Sequence, residues 1–109
     1  MYSSPVPWKV LSSCVGVGVL TENWNLDTCE STSTDEVRTF IVNVPFDAPF
    51  ASAPVVQIGL TGFDFDQSDS SRLTVKAENI TEFGFQAVIS TWATTRVYAV
   101  EFNWLAIGA

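Results

Sequence analysis

Four side chains in this 109-residue sequence are of the types that hold a polyol: Asp35, Arg72, Trp92 and Tyr98, each at the end of a segment that reads as a β-strand. A carboxylate accepts and a guanidinium donates hydrogen bonds to hydroxyl groups. Flat aromatic rings cover the apolar C–H face of a pyranose, in a shallow and mostly preformed site. Each residue also has a plain structural reading, with Asp35 as a turn acid, Arg72 as a surface cation, and Trp92 and Tyr98 as core or rim aromatics. Spacing alone leaves both readings open.

Other groupings carry less. Asp64-x-Asp66-x-Ser68 imitates the opening of a calcium loop, but Asp69 stands where a glycine should turn and Val75 where a bidentate glutamate should sit, so it fails as an EF-hand. Cys14 and Cys29 flank a turn-like stretch. An intrachain bridge there would contribute about 3 kcal/mol in the chain-entropy account, and free thiols or a bridge to another protomer are the alternatives. Two cysteines without histidine make a poor metal site, and no metal or cofactor is expected. Asn79-Ile80-Thr81 matches a glycan acceptor, but an ordinary hairpin turn is the preferred reading. The pairs Asp35-Glu36 and Asp64/Asp66 are the available paired carboxylates. Nothing buries one of them to raise its pKa as a general acid requires, so no enzyme activity is expected.

Composition narrows the classes further. With Lys+Arg 5, Asp+Glu 12 and no histidine, the formal charge is −7, which excludes imidazole-based catalysis and histidine-ligated zinc. The same acid excess argues against nucleic acid and anionic membrane surfaces, which are held mainly by Lys and Arg. A neutral partner fits best. The 47% hydrophobic and 13% aromatic content supplies ample apolar surface for one core in a chain of single-domain size. The longest nearly apolar run, residues 10–20, is broken by Ser12, Ser13, Gly16 and Gly18 and is too short to cross a bilayer. The start has no basic residues and no cleavage signal, leaving prior removal of a leader or another export route.

The elements that must position these groups read as all-β, because period-two alternation recurs between clusters of Pro, Gly, Asp, Ser and Asn. Strands are expected at 37–44, 55–61, 72–77, 83–92 and 97–106, with a weaker one over 15–21. Residues 1–13, with Pro5 and Pro7, read as an extended arm docked by Trp8, and 14–109 as the domain. Parity places Phe85, Ala87 and Ile89 inward and leaves Trp92 on the opposite face as an exposed aromatic. About six strands with turn signals every 8–12 residues are the pattern of an antiparallel sandwich.

From about Val15 to Ala106 the sequence resembles the H-type lectin domain of snail agglutinins and the C-terminal part of discoidins. The resemblance is carried by Asp35-Glu36-Val37-Arg38, Ala53-Pro54-Val55-Val56, Leu60-Thr61-Gly62-Phe63-Asp64, Gln67-Ser68 and Arg72. It continues through Gly84-Phe85, Thr91-Trp92, Thr95-Arg96-Val97-Tyr98 and Trp104-Leu105-Ala106. It implies a six-stranded antiparallel β-sandwich that forms a homotrimer, with pairing of trimers into a hexamer left open. The implied protein is extracellular or at the cell surface, and binds terminal galactose or N-acetylgalactosamine glycans in clefts between protomers. By the same resemblance Asp35 accepts from ring hydroxyls and Arg72 donates to the sugar, while Trp92 and Tyr98 come from the neighbouring protomer. The snail pattern has a histidine after the tryptophan where this chain has Ala93. It also has stapling cysteines where this chain has Ala51 and Ile89. The trimer seam is expected to bury the outward-facing Val55, Val88 and Val97. The alternative to a lectin is an oligomerising or adhesion module of a larger fibre or surface appendage with a degenerate pocket.

Overall fold

A computed structural model describes residues 8–28, 36–68 and 70–109. Six strands, β1 (Lys9–Gly18), β2 (Val37–Pro45), β3 (Val55–Phe65), β4 (Thr74–Glu78), β5 (Gly84–Trp92) and β6 (Val97–Gly108), account for its regular structure, with no helix among the described residues. They form two three-stranded antiparallel sheets, in the orders β1-β6-β3 and β2-β5-β4. The all-β sandwich expected from the alternation is the one observed.

The two central strands carry the cleanest period-two pattern because each has a partner on both sides and one face wholly covered. In β5, Phe85, Ala87, Ile89 and Thr91 are buried while Gln86, Val88, Ser90 and Trp92 are half-buried on the outer face. In β6, Val100, Phe102, Trp104 and Ala106 point inward and Glu101 and Asn103 outward. Full burial of a side chain such as Phe102 contributes about 2–3 kcal/mol, and Phe46, Phe50, Phe85 and Trp104 stack through tilted and edge-on contacts with centroids 5.1–6.0 Å apart.

Three expectations are corrected. The first strand does not begin at Val15, because Lys9 to Ser13 already pair with Gly108 to Trp104 of β6. The Lys9 ammonium donates to the carbonyls of Ala48 and Pro49 and lies 4.5 Å from the centre of the Phe50 ring. These residues are therefore part of the sandwich and not of an arm; residues 1–7 of that arm lie outside the described residues. Trp8 is 77% exposed, not packed onto the body as a dock for the arm. Val97 is completely buried, not outward at a seam. Its alternation breaks because Asp64 of β3 pairs with Ala99 while Phe65 pairs with Val97, so Tyr98 is an extra residue that resets the face. The Val97 amide then donates to the Leu26 carbonyl at 2.7 Å.

Candidate functional site

The site residues gather at the end of the sandwich where β2 starts, β5 finishes and β6 begins. Val37, the first residue of β2, pairs with Trp92, the last of β5. Between β5 and β6 the chain reverses over four residues, with the Thr95 amide donating to the Trp92 carbonyl at 3.4 Å. Ala93 takes φ 58° in this turn, a left-handed backbone that costs an L-residue about 1 kcal/mol. The turn is thus short, strained and flanked by the two aromatics of interest.

Arg38 holds it in place. On the core side of β2, in phase with Phe40, Val42 and Val44, a guanidinium takes the place of an apolar side chain. It donates to the carbonyls of Leu26 (3.4 Å), Thr28 (2.6 Å), Ala93 (3.2 Å) and Thr95 (2.5 Å). One fork therefore ties the β1–β2 connection to the β5–β6 turn, the geometry for which arginine is suited. Trp24 reinforces the tie, donating from Nε1 to the Val97 carbonyl at 2.9 Å and packing on Phe40 with centroids 5.0 Å apart.

Two buried threonines connect the turn to the β3–β4 loop. Thr95, 1% exposed, donates from Oγ1 to the Ser70 carbonyl at 2.6 Å and accepts from Nη1 of Arg72 at 2.8 Å. Thr91, fully buried, donates to the Arg72 carbonyl at 2.5 Å. Arg72 is thereby fixed at backbone and side chain just ahead of β4, whose first residue is Thr74, and the residue is half-buried.

Tyr98, also half-buried, donates from its hydroxyl to Oδ2 of Asp66 at 3.3 Å. The other oxygen, Oδ1, accepts from the Ser68 amide (2.9 Å) and the Ser68 hydroxyl (2.7 Å), an Asx-type turn. The backbone bond from Ser68 and then its hydroxyl hold the Asp66 carboxyl below the usual carboxylate range, with Tyr98 and Arg96 adding to the effect against some desolvation. Desolvation first, and the Asp66 charge second, push the Tyr98 hydroxyl above its usual value near 10.0. The Asp64/Asp66 segment that imitates a calcium loop thus closes on itself, and no group of three possible metal ligands occurs among the described residues.

The structure brings Arg72, Trp92 and Tyr98 to one end. Asp35 lies outside the described residues, as does Cys29; Cys14 is an exposed free thiol in the middle of β1. Asn79, at the opposite end, is an exposed turn residue with φ 51° whose side-chain amide donates to Gln86 Oε1 at 2.6 Å. Sequence reasoning missed Arg38, Thr91, Thr95 and Asp66 as the residues that fix the site. A cation in phase with the apolar face of β2 was the signal available for Arg38.

The H-type lectin domain profile matches residues 41–107. A discoidin-1 polypeptide of Dictyostelium discoideum is 30% identical over 106 residues, covering 96% of this chain and 40% of the discoidin. A protein of Fuscovulum blasticum described as ATP synthase subunits region ORF 7 is 44% identical over 72 residues, 66% of this chain and 63% of that protein. The structure of recombinant discoidin II of Dictyostelium discoideum superposes with a TM-score of 0.78 at 27% identity, covering 99% of this chain and 40% of that one. The chain thus spans about two fifths of the discoidins and under two thirds of the Fuscovulum protein. On the profile match, supported by the fold, the chain belongs to the H-type lectin domain family.

Proposed function

We propose that this domain is a non-enzymatic carbohydrate-binding lectin for terminal galactose or N-acetylgalactosamine glycans, working outside the cell or at its surface. The observation that carries the reading is the fixed disposition of Arg72, Trp92 and Tyr98 around one strained turn, within a chain of H-type lectin membership. Arg72 and Asp35 serve the ring hydroxyls, and Trp92 and Tyr98 of a neighbouring copy cover the C–H face. Ala93 offers only a methyl group where the snail pattern has a histidine, so the acetamido group of N-acetylgalactosamine meets one donor fewer.

Sites between protomers require an assembly, and the outer face of sheet β1-β6-β3 supplies a surface for one. Val10 pairs with Ile107, and Ile107 with Val55, so the three form an apolar row across the sheet, exposed at 57%, 37% and 66%. Exposed apolar rows of this kind mark interaction surfaces. In this reading Val55 lies at the seam beside Val10 and Ile107, whereas Val97 is buried and Val88 is half-buried on the outer face of the other sheet. Several weak sites on one trimer gain about 10²–10⁴ in avidity when the glycans are spaced to match.

The test is a glycan array probed with the purified protein with and without chelator, alongside its mass in solution. Binding confined to galactose-type termini, insensitive to chelator, supports the lectin. A folded trimer that binds no glycan favours the alternative, an oligomerising or adhesion module with a degenerate pocket.

A further inference from the structure

The outer face of sheet β2-β5-β4 starts at Trp92 and lies on the other side of the sandwich from the apolar row of Val10, Ile107 and Val55. Strand register orders its side chains into rows. Val37 pairs with Trp92, and the next row joins Thr39 of β2, Ser90 of β5 and Thr74 of β4, three hydroxyls side by side. Ile41, Val88 and Lys76 make the third row, and Asn43, Gln86 and Glu78 the fourth. All of these residues are exposed or half-buried. The polar rows are ordered by their own hydrogen bonds. Thr39 Oγ1 and Ser90 Oγ are bonded at 3.0 Å, Gln86 Nε2 donates to Asn43 Oδ1 at 3.2 Å, and Asn79 Nδ2 donates to Gln86 Oε1 at 2.6 Å.

We infer that this face carries the inner residues of a neutral oligosaccharide whose terminal residue occupies the candidate sugar site. The inference rests on the lectin reading and states how its ligand continues. A glycan chain presents C–H patches and hydroxyl edges in turn, and the rows alternate in the same sense. They are apolar at Val37 and Trp92, hydroxyl at Thr39, Ser90 and Thr74, apolar again at Ile41 and Val88, then amide at Asn43 and Gln86. Trp92 belongs both to the candidate site and to this face, so a chain leaving the ring that Trp92 covers meets the hydroxyl row next. Hydroxyls and side-chain amides each donate and accept, and a pair bonded to one another keeps further capacity for a ligand. Successive rows are about 7 Å apart at the usual rise of a strand, and Trp92 to Gln86 spans about 20 Å, room for several pyranose rings. Within the four rows the charged groups are Lys76 and Glu78, which offset one another in a chain of formal charge −7. The face therefore selects by hydroxyl placement and not by charge.

The test compares a methyl galactoside with a neutral galactose-terminated tetrasaccharide on wild type and two multiple variants. One combines Thr39→Val, Ser90→Ala and Thr74→Val, which removes the hydroxyl row and keeps β-branched side chains at the two edge positions. The other, Thr39→Ser with Thr74→Ser, keeps every hydroxyl. Wild type should bind the tetrasaccharide about tenfold more tightly than the monosaccharide, the gain of two or three further hydrogen bonds. The hydroxyl-free variant should bind both probes equally, with monosaccharide affinity and solution mass unchanged, and the serine variant should keep the preference. Equal binding of the two probes by wild type, or a hydroxyl-free variant that keeps the preference, overturns the inference and leaves the lectin reading intact. A hydroxyl-free variant of lower oligomeric mass overturns it by identifying this row as part of a contact between copies. Binding of no sugar at all overturns the lectin reading itself.

Discussion

Thr95→Val removes one oxygen from the point where the β5–β6 turn meets the β3–β4 loop while keeping the side-chain shape. Thr95 is 1% exposed and its hydroxyl makes two hydrogen bonds, to the Ser70 carbonyl and from Arg72. Each contributes about 1 kcal/mol net. Ser70 is exposed and its carbonyl can be rehydrated, and the added methyl recovers up to about 0.8 kcal/mol through burial. The expected loss is thus about 1–2 kcal/mol, a fall of about 5–10 °C in Tm for a domain of this size. The functional effect should exceed the stability effect, because the Arg72 guanidinium loses the buried hydroxyl that it donates to from Nη1. Galactoside affinity should drop about tenfold. Thermal melts at fixed protein concentration and titration with a methyl galactoside read the two effects, with Thr95→Ser as the control that keeps the hydroxyl. A Thr95→Val protein with wild-type sugar affinity would show that Thr95 does not position Arg72.

Ala93→Gly relieves a left-handed backbone at φ 58° and should stabilise the domain by up to about 1 kcal/mol, seen as a higher midpoint in urea; a lower midpoint would contradict the strain. Gly18→Ala places a methyl 2.5 Å from the Tyr98 carbonyl oxygen and should cost about 1–3 kcal/mol, whereas a wild-type urea midpoint would show that β1 can retreat. Asp66 is held low and Tyr98 high by their contact and surroundings. Asp66 therefore contributes stability that is present above its unfolded value and lost as pH falls below about 4. The Tyr98 contribution is lost as pH rises above about 10. In a Tyr2→Phe background, Asp66→Asn should lower the Tyr98 titration midpoint in an ultraviolet absorbance titration, and an unchanged midpoint would refute the coupling.

The sequence made the central strands legible and the edges less so. The alternation of Phe85, Ala87 and Ile89 survives into the structure because β5 has neighbours on both sides and one dry face. β1 is an edge strand whose outer face is open, so Ser12, Ser13 and Cys14 blur its pattern, and its pairing with β6 is a long-range fact. Val97 was misplaced because strict parity carries no sign of an extra residue at Tyr98. At the site, Arg72, Trp92 and Tyr98 were visible as chemistry, but the carbonyls that Arg38 gathers belong to four residues distant in sequence, and backbone acceptors leave no mark on composition.

The measurement that tests the central claim most directly is complementation between two inactive chains. Arg72→Ala and Trp92→Ala each remove one half of a site built from two copies, so neither protein alone should bind a galactoside column. Refolded together into mixed assemblies, they should recover binding, because some clefts then join an intact Arg72 from one chain to an intact Trp92 from another. Mixed assemblies of unchanged mass that still bind nothing, or either single variant binding like wild type, would contradict a sugar site shared between protomers.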